Sequence, residues 1–318
     1  MVVYYNHENL QISAPTAVAL GKFDGVHLGH RHLLAEVLQK KQDGLQAAVL
    51  TFDPPPEVYF GRGEAGQLLT NPEKEAVLAA LGFDMLVYFP LDETTAAMEP
   101  EAFVSEVLLK RMQMRFICAG GDLRFGAGGR GDSAALRRLA EARGFGFDVI
   151  PKLCHAGREI SSTYVREAVM RGDMSLVAEL LGTHYLLSGI VEEGARLGRT
   201  LGFATANLAT PAGKVLPPRG VYASTVLCRG GEYAAVTNIG EKPTVSGTGR
   251  VVIESHLFDF DGDLYGERLE VRLREFKRPE RKFASVDELA AQIEEDVRAC
   301  RDAIACLSPA APSESARA

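Results

Sequence analysis

The chain of 318 residues is short of three things, and each shortage narrows what it can be. Its five cysteines, at 118, 154, 228, 300 and 306, are odd in number, scattered and without C-x-x-C spacing. A disulfide framework or zinc ribbon does not follow from such a set, and a reducing cytoplasm is the default setting. No run reaches the roughly 18 apolar residues of a membrane span, and Met1 to Glu8 shows no basic region followed by an apolar stretch. The expected place is the cytoplasm, with no membrane partner. Positive charge is also scarce, 35 Lys and Arg against 42 Asp and Glu for a net charge of −7, which argues against a nucleic-acid surface. Small anions would have to be held by local geometry instead.

What is present, 46% hydrophobic and 24% charged residues, is enough for a sizeable core and two domains. There are no internal repeats. Up to about residue 183 short apolar runs alternate with helical patterns. Thr16 to Leu20, Ala47 to Phe52, Met85 to Phe89, Phe116 to Ala119 and Phe147 to Ile150 read as strands. Arg31 to Lys41, Pro72 to Leu81, Pro100 to Arg111 and Ser133 to Arg143 read as helices. Strands spaced by helices predict a parallel, Rossmann-like sheet. After Leu181-Gly182 the chain turns to short runs rich in Val, Tyr and Thr, cut by Gly and Pro, the texture of an antiparallel barrel or sandwich. Ser285 to Glu288 reads as a capping box opening a last helix, whose stripe of Leu289, Ile293, Val297, Cys300 and Ile304 would pack on that barrel. Ser308 to Ala318 reads as a disordered tail, so the expected units are 1–183, 184–307 and 308–318.

The most informative string is Gly21-Lys22-Phe23-Asp24-Gly25-Val26-His27-Leu28-Gly29-His30, between an apolar strand and a helix. At such a turn glycines let the backbone approach a phosphate, and the helix N-terminus offers unpaired N–H groups. His27 and His30, three apart, would share one side of the first helical turn and face one anion. Zinc is the rival for two close histidines, but no neighbouring Cys, His or carboxylate cluster completes a set of ligands. Downstream, Gly120-Gly121-Asp122-Leu123-Arg124-Phe125-Gly126 is a flexible loop with Arg124 and Arg130 available to an anion. Ile160-Ser161-Ser162-Thr163-Tyr164-Val165-Arg166 places three hydroxyls before a helix start, where plain capping competes with ligand binding.

In the second half, Gly198-Arg199-Thr200-Leu201-Gly202 gives a loop able to wrap phosphates. The Thr205 hydroxyl and the Asn207 carbonyl follow as hard oxygen donors at alternating positions, a set that suits Mg²⁺. Val252 to Leu257 alternates so that Glu254 and His256 share a face.

The first string resembles the H-x-G-H signature of nucleotidyltransferases, and its flanking G-x-F-D-G is similar to the bacterial riboflavin kinase/FAD synthetase family. The 120–126 and 160–166 strings resemble that family's G-x-D-F-R-F-G and I-S-S-T-x-x-R. Gly198 to Asn207 resembles its G-R-x-x-G-F-P-T-A-N. Gly220 to Ala223, Asn238 to Thr244, Leu264 to Gly266, the V-E-x-H strand and Arg278 to Phe283 match further strings in order. The chain departs from the pattern at Lys22, at Leu123, at Pro55 in Asp53-Pro54-Pro55-Pro56, and at Ala204 in place of a proline.

The resemblance implies an N-terminal Rossmann-like FMN adenylyltransferase and a C-terminal antiparallel β-barrel riboflavin kinase, each using ATP and Mg²⁺. It implies that FMN phosphate attacks the α-phosphorus of ATP, with His27, His30, Arg166, backbone amides and Mg²⁺ aligning the reactants and neutralising charge. Nucleotide would bind at Gly21, Phe23, Asp24, Gly29, Ser161, Ser162, Thr163 and Arg166 in the first half, and at Gly198 and Gly202 in the second. Asp122, Arg124 and Arg278 would meet flavin, Thr205 and Asn207 the metal, and Glu254 would be the general base. Partners would be riboflavin, FMN and ATP, with at most weak homo-oligomerisation. Two rival readings are an adenylyltransferase for another phosphorylated acceptor, which would not need the kinase strings, and a flavin sensor that has lost catalysis.

Overall fold

The computed structural model describes residues 1–5, 10–61, 66–193, 203–242 and 250–307. By compactness it falls into two units, Met1–Val165 and Arg166–Ala318. The first holds the parallel strands β1 (Val2–Tyr4), β2 (Thr16–Leu20), β3 (Gln46–Asp53), β4 (Met85–Pro90), β5 (Met114–Gly120) and β6 (Gly146–Ile150), and a two-stranded hairpin, β7 (Cys154–His155) with β8 (Arg158–Glu159). The sheet order is β1-β4-β3-β2-β5-β6, with every neighbour parallel. All five residues of β2 are buried, as a strand covered on both faces requires. Its neighbours are β3 and β5, so the strand order reverses at β2 and opens a crevice at the carboxyl ends.

The helices are α1 (Leu28–Gln39), α2 (Pro56–Tyr59), α3 (Asn71–Ala80), α4 (Glu93–Ala96), α5 (Pro100–Ala102) and α6 (Ser133–Arg143). After Ala102 the chain winds on as a π-helix over Phe103–Arg111. Phe103, Val104, Val107 and Leu108 from that segment meet Val18, Leu50, Val87 and Ile117 of the sheet in one core cluster. On α1 the buried residues are Leu33, Leu34 and Val37. That helix starts three residues before the expected Arg31 because His27 caps it, and it ends in a 3-10 turn over Lys40–Asp43.

Two further helices, α7 (Ser162–Arg171) and α8 (Met174–Leu181), precede the barrel. Its strands are β9 (Tyr185–Glu192), β10 (Ala206–Ala209), β11 (Gly220–Cys228), β12 (Gly231–Lys242), β13 (Arg250–Leu257) and β14 (Arg268–Pro279). They close in the order β10-β13-β12-β11-β14-β9, antiparallel throughout. Closure decides between barrel and sandwich. Three buried hydroxyls run across the staves: Ser224 Oγ lies 2.7 Å from Thr237 Oγ1, which lies 2.8 Å from Ser255 Oγ. Each supplies the other's partner, so the polar groups are satisfied without water.

The last helix, α9 (Val286–Leu307), packs on β11, β12 and β14. Ser285 Oγ accepts from the Glu288 N–H at 3.1 Å, as a capping box requires. The return arm differs from expectation: the Glu288 carboxylate accepts from the Ala284 N–H at 2.9 Å, one residue earlier. Cys300 is fully buried, with Val297 and Ile304 against Ala223 and Phe258. Gln292 and Asp296, absent from the expected stripe, are buried beside it. No helix among the described residues is long and apolar enough to cross a membrane.

Candidate active sites

The turn between β2 and α1 is strained. Phe23 and Val26 have φ of 49° and 46° on either side of Gly25 at 82°. A β-branched residue is rare in that region, and each such conformation costs on the order of 1–3 kcal/mol unless its surroundings impose it. They do so here. Both side chains are fully buried, and the Lys22 carbonyl accepts from Thr51 Oγ1 at 2.9 Å and from Lys74 Nζ at 3.2 Å. Asp24 Oδ1 accepts from the N–H groups of Leu68 (2.8 Å) and Leu69 (3.3 Å), and the Asp24 carbonyl accepts from Ser162 Oγ at 2.9 Å.

The turn delivers His27 as the N-cap of α1, with Nδ1 accepting from the His30 N–H at 3.3 Å. An imidazole that accepts at Nδ1 carries its proton on Nε2. The two rings stack with centroids 3.7 Å apart and planes 16° from parallel, and Phe23 stands edge-on to His30 at 5.3 Å. The glycines are explained by this packing. A Cβ on Gly29 would lie 3.2 Å from Cε1 of His27, and one on Gly21 would lie 3.1 Å from Cζ of Phe23.

Burial pushes His27 down to about 4, opposed by the nearby Asp122 carboxylate. His30 is held well below its usual 6.5 by burial first, then by the charges of His27, Lys74 and Lys22. The pair is therefore neutral at physiological pH and meets a ligand as polar hydrogen-bonding groups rather than as cations. His30 Nδ1 is buried with no hydrogen-bond partner among the described residues.

Around the pair the structure gathers Gly21, Phe23, Asp24, Gly29 and Ser162. Ser161 is the capping residue of α7, its Oγ accepting from the Tyr164 N–H at 3.3 Å, while Thr163 is exposed. Arg166 lies one turn beyond Ser162 on the same helix. Asp122 is exposed after β5, with Lys152 Nζ 3.4 Å away. Arg124 is exposed too and turns to its own loop, donating to the Leu123 carbonyl at 2.8 Å.

On the barrel, register aligns three polar residues across adjacent staves. Glu254 of β13 pairs with Asn207 of β10 on one side and Asn238 of β12 on the other. Ile253, Ser255 and Leu257 are buried while Glu254 and His256 are half-buried, so the alternation expected from sequence holds. Thr205 immediately precedes β10. His256 donates from Nδ1 to the Ala204 carbonyl at 2.8 Å and lies edge-on to Phe203 and Phe258. That bond fixes the backbone next to Thr205. The Glu280 carboxylate accepts from Asn238 Nδ2 at 3.4 Å.

Thr205 and Asn207 offer neutral oxygens beside one carboxylate, a donor set that fits a hard cation shared with phosphates. Among the described residues no group of three or more His, Cys, Asp or Glu could hold a metal. Arg278 is tied to α9, donating to Asp296 from Nε at 2.8 Å and Nη2 at 2.6 Å. Gly198 and Gly202 lie outside the described residues. The buried charges of Glu73, Lys74, Lys214 and Asp296 escaped the sequence reading, and no local pattern marks Lys74 or Asp296.

A family model described as FAD synthetase matches residues 9–164, and one described as riboflavin kinase matches 181–304. Curated relatives called bifunctional riboflavin kinase/FMN adenylyltransferase include one from Escherichia coli K12, 39% identical over 92% of this chain and 94% of its own. Another, from Bacillus subtilis, is 34% identical over 93% of this chain and 94% of its own. A crystal structure described as a macrolide-efflux protein from Streptococcus pneumoniae is 28% identical, covers 95% of this chain and 98% of that one, and has a TM-score of 0.83. With both domain models in sequence order and near full-length relatives above 30% identity, the chain belongs to the bifunctional riboflavin kinase/FMN adenylyltransferase family.

Proposed function

We propose that the two activities of this family, phosphorylation of riboflavin to FMN and adenylylation of FMN to FAD, are carried by the two polar constellations described above. The observation that carries the first assignment is the stacked, neutral His27–His30 pair at the head of α1, at the switch point of the sheet. In that reading an FMN phosphate oxygen bonds to the α-phosphorus of ATP while the bond to the bridging oxygen breaks and pyrophosphate leaves. No protein nucleophile is needed. His27 Nε2–H, His30 and the N-terminal amides of α1 would donate to the oxygens that gain charge, which is where preorganised donors lower a barrier most. Ser161, Ser162, Thr163 and Arg166 would hold the nucleotide, and Asp122 and Arg124 the flavin.

In the barrel, Glu254 would accept the proton of the terminal ribityl hydroxyl as that oxygen bonds to the γ-phosphorus and ADP leaves. The register that sets Glu254 between Asn207 and Asn238 on neighbouring strands supports this role. Thr205 and Asn207 would hold Mg²⁺, which supplies charge neutralisation on the phosphates when bound. Gly198 and Gly202 would wrap the nucleotide, and Arg278, anchored by Asp296, would border the flavin. We assign adenylyl transfer to residues 1–183 and the kinase to 184–307, with 308–318 as a tail, in a cytoplasmic enzyme that binds neither membrane nor nucleic acid. Any self-association would be weak. The test is to incubate the purified chain with riboflavin, ATP and Mg²⁺ and separate the products: FMN followed by FAD is expected, and FMN without FAD at saturating substrates overturns the N-terminal assignment.

A further inference from the structure

Lys74, in the second turn of α3, is only 4% exposed. Among the described residues its ammonium makes a single hydrogen bond, the 3.2 Å bond to the Lys22 carbonyl, and it lies 6.0 Å from the ring centroid of the buried Tyr88. Burial pushes its pKa down, opposed by the charges of Asp24 and Asp53. An ammonium buried with two of its three donors unused is costly, and an apolar residue would fill the space at less expense. The position therefore calls for a reason.

The surroundings supply one. The H-x-G-H turn and the start of α3 hold each other from both sides. Asp24 takes the N–H groups of Leu68 and Leu69 just before α3, and Lys74 reaches back from α3 to the carbonyl at the head of the turn. The Thr70–Glu73 capping box fixes the first turn of α3, so Lys74 projects from a rigid base. It is also one of the two cations that bear on His30, the other being the exposed Lys22, which pairs with Glu57. Lys74 is thus the buried, fixed cation of a site whose histidines are neutral.

We propose that Lys74 is a positioning residue for adenylyl transfer: its ammonium anchors the strained Phe23–Val26 turn through the Lys22 carbonyl and sets a buried positive charge beside that turn, where a polyphosphate would bind. This rests on the reading of His27 and His30 as the adenylyl site. The groups that face His30 are His27 from its own turn, Lys22 from the turn before it and Lys74 from α3, and those that face Lys74 are Asp24 and Asp53. Removing the Lys74 charge leaves His30 easier to protonate.

The experiment uses the full chain and three variants, Lys74→Met, Lys74→Gln and Lys74→Arg, with FAD synthesis from FMN and ATP followed from pH 5 to 9. Far-UV circular dichroism and the urea unfolding profile of the same samples report folding of the unit that carries Lys74. In Lys74→Met the kcat for FAD synthesis should fall about 100-fold, the lower end of the scale for losing one preorganised electrostatic contact. The acidic limb of the kcat/KM profile should move to higher pH in both Lys74→Met and Lys74→Gln. Lys74→Arg should return that limb to its original place. A merely structural lysine would lower activity without moving the limb. Wild-type kcat and an unmoved limb in Lys74→Met overturn the proposal, as does an unmoved limb in Lys74→Gln if Lys74→Met fails to fold. His30→Ala separates the two readings: if it keeps FAD synthesis, the site itself is misassigned, whereas its loss beside a normal Lys74→Met rejects Lys74 alone.

Discussion

Glu254 is set between two amides, and that placement makes its substitution informative. Glu254→Gln keeps size and polarity but removes the proton acceptor, so FMN formation should fall by about 10²- to 10⁴-fold. FAD synthesis from supplied FMN should continue in the same sample, and unchanged kinase activity would remove Glu254 from the chemistry. Gly29→Ala probes the other site without touching a functional group. Its methyl would press on the His27 ring from 3.2 Å, so the stack with His30 should open and FAD synthesis should drop while the kinase is spared. Stability should register the same histidines. His27 titrates near 4 when folded against about 6.5 unfolded, so the unfolded chain binds more protons between those values. Its contribution is complete above pH 6.5 and is lost as pH falls toward 4, by about 3 kcal/mol in all. Urea unfolding at pH 7.5, 6 and 5 should show that decline, and His27→Gln, which does not titrate, should flatten it. Local spacing singled out both histidines as candidates, whereas Glu254 was singled out only by the resemblance of its strand to the family's V-E-x-H. The neutrality of the two histidines was not legible, since burial and the charge of Lys74 are properties of the folded chain.

Among the elements, β2 runs from Thr16 to Leu20 as its apolar run predicts, and α6 spans the expected Ser133 to Arg143. Where the sequence misled, the reasons are physical. The stretch after Pro100 has an ordinary helical pattern, yet it winds as a π-helix to bring Phe103, Val104, Val107 and Leu108 together on the sheet, a choice made by packing. β1 and the β7–β8 hairpin are too short to show a period. In α9 the apolar stripe is real, but Asp296 beside it is 6% exposed because Arg278, distant in sequence, neutralises it. Asp296→Ala strands that arginine, and breaking a buried pair costs about 3 kcal/mol or more. Guanidinium unfolding followed by far-UV circular dichroism should show a lower midpoint, and a midpoint within error of the parent would mean the pair carries no stability. Pairing Asp296→Leu with Arg278→Met should recover much of the loss in stability, since no charge is then left buried alone.

For the molecule as a whole, two sets of motifs in order conveyed two units, because each set sits within its own fold. The chain divides between the compact units after Val165, inside α7, a point no composition shift marks. If each half works with its own nucleotide, a chain carrying His30→Ala and another carrying Glu254→Gln should fail alone to turn riboflavin into FAD. Mixed in one tube with ATP and Mg²⁺, they should succeed, with free FMN passing from one to the other. No FAD from the mixture, while each variant keeps its remaining activity, would mean that FMN does not exchange between chains.

The barrel has one short stave. β10 has four residues where β12 and β14 have twelve each, and it closes the ring between β9 and β13. A closed barrel has no free edge to fray, so its backbone amides reach solvent by parting a seam, and the seam with the fewest bonds parts at the least free energy. Asn207 is on that stave and Thr205 directly before it. Amide hydrogens of Ala206–Ala209 should therefore exchange with deuterium sooner than those in the middle of β11, and Mg²⁺-nucleotide should slow them preferentially. With Thr205 and Asn207 as the proposed metal ligands, part of the affinity for nucleotide would go into shutting the barrel, and the bound ligand would act as its clasp.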